Sequence, residues 1–132
     1  MKRIYLVLPA IMMLGSAGYA GNTTPQKLIA GFAAQAGTTP SAARGKAFFT
    51  GKHSGGKPET PSCLTCHTSN LKGIGHTRAG KEIAPMARSA NPKRFTDSAK
   101  VAKWFRRNCK TVTGRECSAA EKADILAYLS SI

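Results

Sequence analysis

The sequence is poor in acidic side chains, in long apolar runs and in any β-type alternation. Six Asp and Glu stand against 20 Lys and Arg in 132 residues, a formal net charge of +14. The longest apolar stretch, Ile4 to Leu14, is broken by Pro9. It falls short of the roughly 20 residues that a membrane-spanning helix needs. No stretch reads as a convincing strand, so an all-α domain is expected. Internal repeats and low-complexity tracts are absent, which leaves one ordinary globular unit. The basic residues are scattered and accompany no nucleic-acid-binding motif, so nucleic acid is not an expected partner.

What is present begins with an export signal. Lys2 and Arg3 precede the apolar run, and Gly18-Tyr19-Ala20 places small residues where a signal peptidase reads. Residues 1–20 are therefore expected to be a cleaved secretory signal, with residues 21–132 as one small domain of 112 residues. Removal of Lys2 and Arg3 lowers the net charge from +14 to +12. The expected location is the bacterial periplasm. A surface this cationic suits an acidic redox partner, or simply keeps the chain soluble.

The motif that organises the chain is Cys63-Leu64-Thr65-Cys66-His67. Two thiols three apart with a His directly after them suit thioether attachment of a haem, the imidazole of His67 becoming a ligand of its iron. A thioredoxin-like disulfide would call for a surrounding βαβ pattern, which is missing. Zinc would call for a second Cys/His pair at ligand spacing, and the other cysteines sit eight apart with no His near them. One covalent haem c is the expected cofactor. Cys109 and Cys117 are left as the remaining pair, close enough in sequence for a bridge in an exported chain.

Helical signals surround the motif. Thr24-Pro25 opens a helix with Leu28, Ile29, Phe32 and Ala33 on one stripe, and Gly37 to Pro40 stops it. Ser41 opens a second, with Ala43, Ala47 and Phe48 sharing a core face that packs on the porphyrin. Gly51 to Pro61 reads as a loop, residues 61 to 67 as the haem-attachment turn, and Thr68 to Arg94 as irregular chain around the haem edge. Asp97 caps a third long helix running to about Asn108, with Val101, Trp104, Phe105 and Asn108 on one face. Lys100, Lys103, Arg106 and Arg107 occupy the other face, and a loop from Cys109 to Cys117 follows. Ser118 to Glu121 is a capping box for a final helix that buries Ile125, Leu126 and Leu129. Phe48, Trp104 and Phe105 are the expected haem-packing residues.

The second axial ligand has several candidates: Met86, His53, His76 and Asn108. Met86 offers a thioether, the usual partner in electron-carrying cytochromes c, but it equally suits a core position against the haem edge. His53 also reads as a solvated loop residue. Asn108 puts an amide on an otherwise apolar stripe, and a buried amide needs a partner or costs about 1–3 kcal/mol. Either iron or the backbone at the helix end satisfies it.

Across essentially all of Gly21 to the C-terminus the chain resembles the SHP-type (Sphaeroides haem protein-like) cytochromes c. The resemblance is carried by Gln26 to Gly31, Arg44 to Ala47, Gly55 to Pro58, Gly80 to Pro85 and Arg94 to Ser98. Lys103-Trp104, Arg107-Asn108-Cys109, Gly114 to Cys117 and Glu121 to Asp124 complete it. It implies a small class I-like cytochrome c, four to five helices around one covalently attached haem, with a Cys109–Cys117 disulfide. It also implies that Asn108 is a distal ligand that leaves the iron on reduction, letting oxygen or nitric oxide bind. Some family members carry Leu where this chain has Met86. The expected function is electron exchange with periplasmic or membrane-bound cytochromes combined with diatomic-ligand binding, rather than enzymatic turnover. The alternatives are a plain His67/Met86 electron shuttle, or a haem reductase or oxidase acting at the open iron.

Overall fold

The computed structural model describes residues 21–132; the expected export signal over residues 1–20 lies outside the described residues. Five helices and one minimal strand pair follow in the order α1 Pro25–Ala36, α2 Ala42–Thr50, α3 Leu64–His67, β1 Gly75–His76, β2 Glu82–Ile83, α4 Ser98–Thr113 and α5 Ala119–Ser131.

Each long helix starts where a side-chain oxygen takes up a free backbone N–H. Thr24 accepts from Lys27, Ser41 from Arg44, Asp97 from Lys100 and Ser118 from Glu121. Glu121 returns a bond to the Ser118 N–H, completing the capping box. Gly37 and Gly114 end α1 and α4 in the left-handed region.

The centre of the fold is α5, against which α1 and α2 pack. It buries Ala123, Asp124, Ile125, Leu126 and Leu129. Gly45 lets α2 approach closely, since a Cβ there would lie 1.9 Å from the Asp124 carbonyl oxygen. The buried Asp124 carboxylate then accepts from the Ser41 N–H at 2.6 Å and from Arg44 at 2.7 and 2.9 Å. Phe49, Leu71, Ala87, Cys109, Cys117, Ile125 and Leu129 form the apolar core.

Three sequence expectations change. The α2 residues Ala43 and Ala47 are exposed, and its buried positions are Gly45 and Phe49. The reason is the close approach to α5, which turns the smallest residue inward. Second, α4 does not stop near Asn108 but runs to Thr113. Cys109 and Val112 continue its buried side, and Gly114 is the first residue able to end it. Third, strands do occur: Gly75 pairs with Ile83 and His76 with Glu82, antiparallel. Gly80 at φ 78° turns the connection, and two residues per strand are too few to show a period.

Candidate haem-binding site

The cysteine-histidine motif forms a single helical turn. Ser62 Oγ accepts from the Leu64 N–H at 3.3 Å, and the Cys63 carbonyl accepts from the Cys66 and His67 N–H groups at 3.3 and 3.1 Å. Thr68, at φ 59°, ends the turn directly after His67. Coiling puts Cys63, Cys66 and His67 on the wall of one cavity of about 880 Å³, inside the usual range for a cofactor site.

The strand pair braces this turn. A Cβ on Gly75 would meet the Cys66 carbonyl oxygen at 2.3 Å and the His67 Cα at 3.0 Å, so only glycine lets β1 lie against the motif. Phe49 flanks the imidazole, its ring centroid 5.7 Å from that of His67. Neither Gly75 nor Phe49 was legible from pattern: a contact across nine residues leaves no period, and Phe48 beside Phe49 takes the same helical signal.

Electrostatics suit the motif to a metalloporphyrin. Burial, helped by the Arg94 guanidinium, pushes His67 down to about 4, so its imidazole is neutral with a free lone pair near pH 7. Its Nδ1 is buried without a hydrogen-bond partner. Burial likewise pushes the Cys63 thiol up to about 11, leaving it protonated. Unlike Cys109 and Cys117, Cys63 and Cys66 form no disulfide. An orphaned, neutral imidazole beside two free thiols on the wall of a largely apolar cavity fits a haem joined by two thioethers.

The rest of the wall comes from α2, α4, α5 and the segment from Thr77 to Thr96. Phe48, Trp104 and Phe105 all line the cavity, together with Val101, Ile125 and Leu129. Asn108 and Met86 line it too. His53 and His76 are not among the lining residues. The His53 Nε2 lies 2.9 Å from the Phe48 carbonyl and its ring meets that of Phe48 at 4.6 Å, tilted by 46°, so it is a structural residue rather than a solvated one. Asn108 presents its amide to this cavity from α4, beside Trp104 and Phe105.

The end of α4 that carries Asn108 is pinned twice. Cys109 and Cys117 are disulfide-bonded, with Cα atoms 5.6 Å apart. The glycine loop before the motif also docks there: a Cβ on Gly56 would meet the Thr111 carbonyl at 2.3 Å, and the Lys57 N–H donates to that same oxygen at 2.8 Å. The outer side of α4 exposes Lys100, Lys103, Arg106 and Arg107.

The chain matches, over residues 35–129, the family described as a domain of unknown function, DUF1924. It is 53% identical over 127 residues to the cytochrome c-type protein SHP of Cereibacter sphaeroides, covering 96% of this chain and 97% of that one. The structure of oxidised SHP, an oxygen-binding cytochrome c, superposes with a TM-score of 0.83 at 55% identity, covering 85% of this chain and all of that one. Oxidised cytochrome c'' of Methylophilus methylotrophus gives a TM-score of 0.69 at 37% identity, over 80% and 91% of the two chains. The neutral imidazole, the paired thiols and the cavity they face thus have a family context: the chain belongs to the SHP family of c-type cytochromes, all-α proteins that carry one covalently attached haem c.

Proposed function

We propose that this protein is an exported cytochrome c that exchanges electrons and, when reduced, binds a diatomic gas such as oxygen or nitric oxide. In this reading His67 is the proximal ligand and Asn108 a distal ligand released on reduction. Residues 1–20 are the cleaved leader, residues 21–132 work in the periplasm, and an acidic cytochrome exchanges electrons with the cationic surface. The observation that carries the reading is that Asn108, but neither His53 nor His76, lines the cavity that His67 lines.

A haem held by Cys63, Cys66 and His67 would supply an iron redox couple and a centre able to bind a small ligand. His67 presents a neutral nitrogen held in place by the motif turn and Phe49. The Asn108 amide oxygen is a hard, weak donor that would favour ferric over ferrous iron, so it would be held less firmly once the iron is reduced. Swung aside, its NH₂ is free to donate a hydrogen bond to the incoming gas. Phe48, Trp104, Phe105, Ile125 and Leu129 keep water away from the centre. Two relatives support the reading: SHP is an oxygen-binding cytochrome c, and the solution structure of cytochrome c'' concerns haem-ligand detachment.

Optical spectra of the holoprotein, ferric and reduced, with and without carbon monoxide, test it beside Asn108→Ala. A high-spin ferrous spectrum that shifts with carbon monoxide, and a ferric spectrum altered by the substitution, are expected. A ferrous form that stays six-coordinate and low-spin with no added ligand overturns it. Met86 lines the same cavity and carries the second reading, a His67/Met86 electron shuttle. In that case Met86→Leu, not Asn108→Ala, changes the ferric spectrum.

A further inference from the structure

The outer face of α4 repels itself. From Ser98 to Thr113 the helix carries Lys100, Lys103, Arg106, Arg107 and Lys110 and no acidic residue. Lys103 stands three residues from Lys100 and from Arg106 and four from Arg107, spacings at which like charges destabilise a helix. The chain's six carboxylates do little to relieve this. Asp124 pairs with Arg44, Glu59 with Arg78, Glu116 with Lys110 and Glu121 with Arg115, while Asp97 caps the helix. Among the described residues no carboxylate lies within ion-pair distance of Lys100, Lys103, Arg106 or Arg107.

Set among these cations is the single tryptophan of the chain. Trp104 lines the haem cavity, yet the exposed Lys103 and Arg107 lie over its ring, Nζ at 5.7 Å and Cζ at 5.4 Å from the centroid. Packing on the rest of the fold falls to its neighbour Phe105, which meets Phe32 of α1 edge-on at 6.1 Å. Trp104 therefore reaches from the cavity wall to the cationic surface. Trp and Arg are the side chains that most often anchor a protein interface, and a patch of one sign steers and orients a partner of the other.

We propose that this face of α4, centred on Trp104, is the docking surface for an acidic redox protein, and that Trp104 couples the partner's redox centre to the haem. One electron crosses: the partner is oxidised by one electron as ferric iron becomes ferrous, or the reverse, and no bond is made or broken. A single helix, about 10 Å across, separates the docked surface from the cavity. A lipid surface is a poorer match. Trp104 is the one large apolar side chain that α4 exposes, whereas a helix lying on a membrane buries a whole apolar stripe. The inference deepens the electron-exchange reading above and rests on it, not on which residue is the distal ligand.

The probe is plastocyanin, a small acidic copper protein, used in two ways. First, ¹⁵N-labelled ferrous holoprotein under carbon monoxide is titrated with reduced plastocyanin, both being diamagnetic. The one indole N–H signal and the amides of residues 100–107 are expected to shift most, and less as salt is raised. Second, oxidised plastocyanin takes an electron from the ferrous holoprotein in stopped flow, without oxygen. Lys103→Gln with Arg107→Gln is expected to weaken association about tenfold, while Lys27→Gln with Lys46→Gln, on α1 and α2, leaves it unchanged. Trp104→Leu is expected to slow transfer at saturating plastocyanin several-fold, and Trp104→Phe to keep most of it. Shifts centred away from α4, association indifferent to the α4 charges, a saturating rate unmoved by Trp104→Leu, or shifts caused by phosphatidylglycerol vesicles but not by plastocyanin each overturn the proposal. A ferrous protein that plastocyanin does not oxidise at any concentration overturns the electron-exchange reading with it. The titration of the unsubstituted protein alone decides the docking if Trp104→Leu does not accumulate as holoprotein.

Discussion

Gly75 and Cys66 are in backbone contact: a side-chain carbon on Gly75 would fall 2.3 Å from the Cys66 carbonyl oxygen. The strand pair thereby braces the turn that presents both thiols and the imidazole. Gly75→Ala must push strand and motif apart, at a cost of about 1–3 kcal/mol from overpacking. Thermal unfolding of the holoprotein is expected to show the loss, and the ferric spectrum to shift as His67 moves. An unchanged melting temperature would mean that the hairpin is not a brace.

Asp124 ties the start of α2 to α5. It is buried and takes hydrogen bonds from Ser41 and from two nitrogens of Arg44. Asp124→Ala leaves those donors unmatched, so about 2–3 kcal/mol is expected to be lost on denaturant unfolding. The haem spectrum is expected to stay unchanged, because Asp124 does not line the cavity.

The Cys109–Cys117 bridge closes a loop with a sequence separation of 8 residues. Replacing both cysteines by serine frees the unfolded chain, and the loop-entropy relation gives a loss of about 2–3 kcal/mol. Melting curves of the double variant check this. The last turns of α4, which carry Asn108 and Thr113, are expected to exchange amide protons faster.

Glu121 accepts from Nη1 and Nη2 of Arg115, at 2.8 and 2.7 Å, and from the Ser118 N–H at 2.7 Å. These partners, Arg115 first, hold its carboxyl below the ordinary 4.5. A carboxylate with a depressed folded value stabilises the fold above its ordinary range, and that contribution disappears as pH falls through the folded value. Glu121→Gln is therefore expected to cost about 0.5–1 kcal/mol at neutral pH, the size of a lost cap. The gap from the unsubstituted protein is expected to close in acid, on melts followed from pH 7 downward.

Legibility in the sequence followed the range of the interaction. The caps at Thr24, Ser41, Asp97 and Ser118 are local, set within three residues, and all four stand where their side chains indicate. The face shared by Val101, Trp104, Phe105 and Asn108 was also readable, because helical spacing alone decides it. What pattern does not carry is contact between distant segments. Gly45 against Asp124, Gly75 against Cys66 and Gly56 against Thr111 each hide in a residue that reads as a weak helix former or a loop. Arg94 hides in the same way: basic residues are everywhere in this chain, and only the fold shows that this one lines the cavity half-buried.

The four sulfurs have two fates, and burial assigns them. Cys109 and Cys117 lie in the core, 6% and 4% exposed, and are already joined. Cys63, on the cavity wall, is kept as a neutral thiol by its surroundings. The fold therefore sorts its sulfurs by place, two joined to each other in the core and two presented to the cavity, so that neither pair competes for the other's partner.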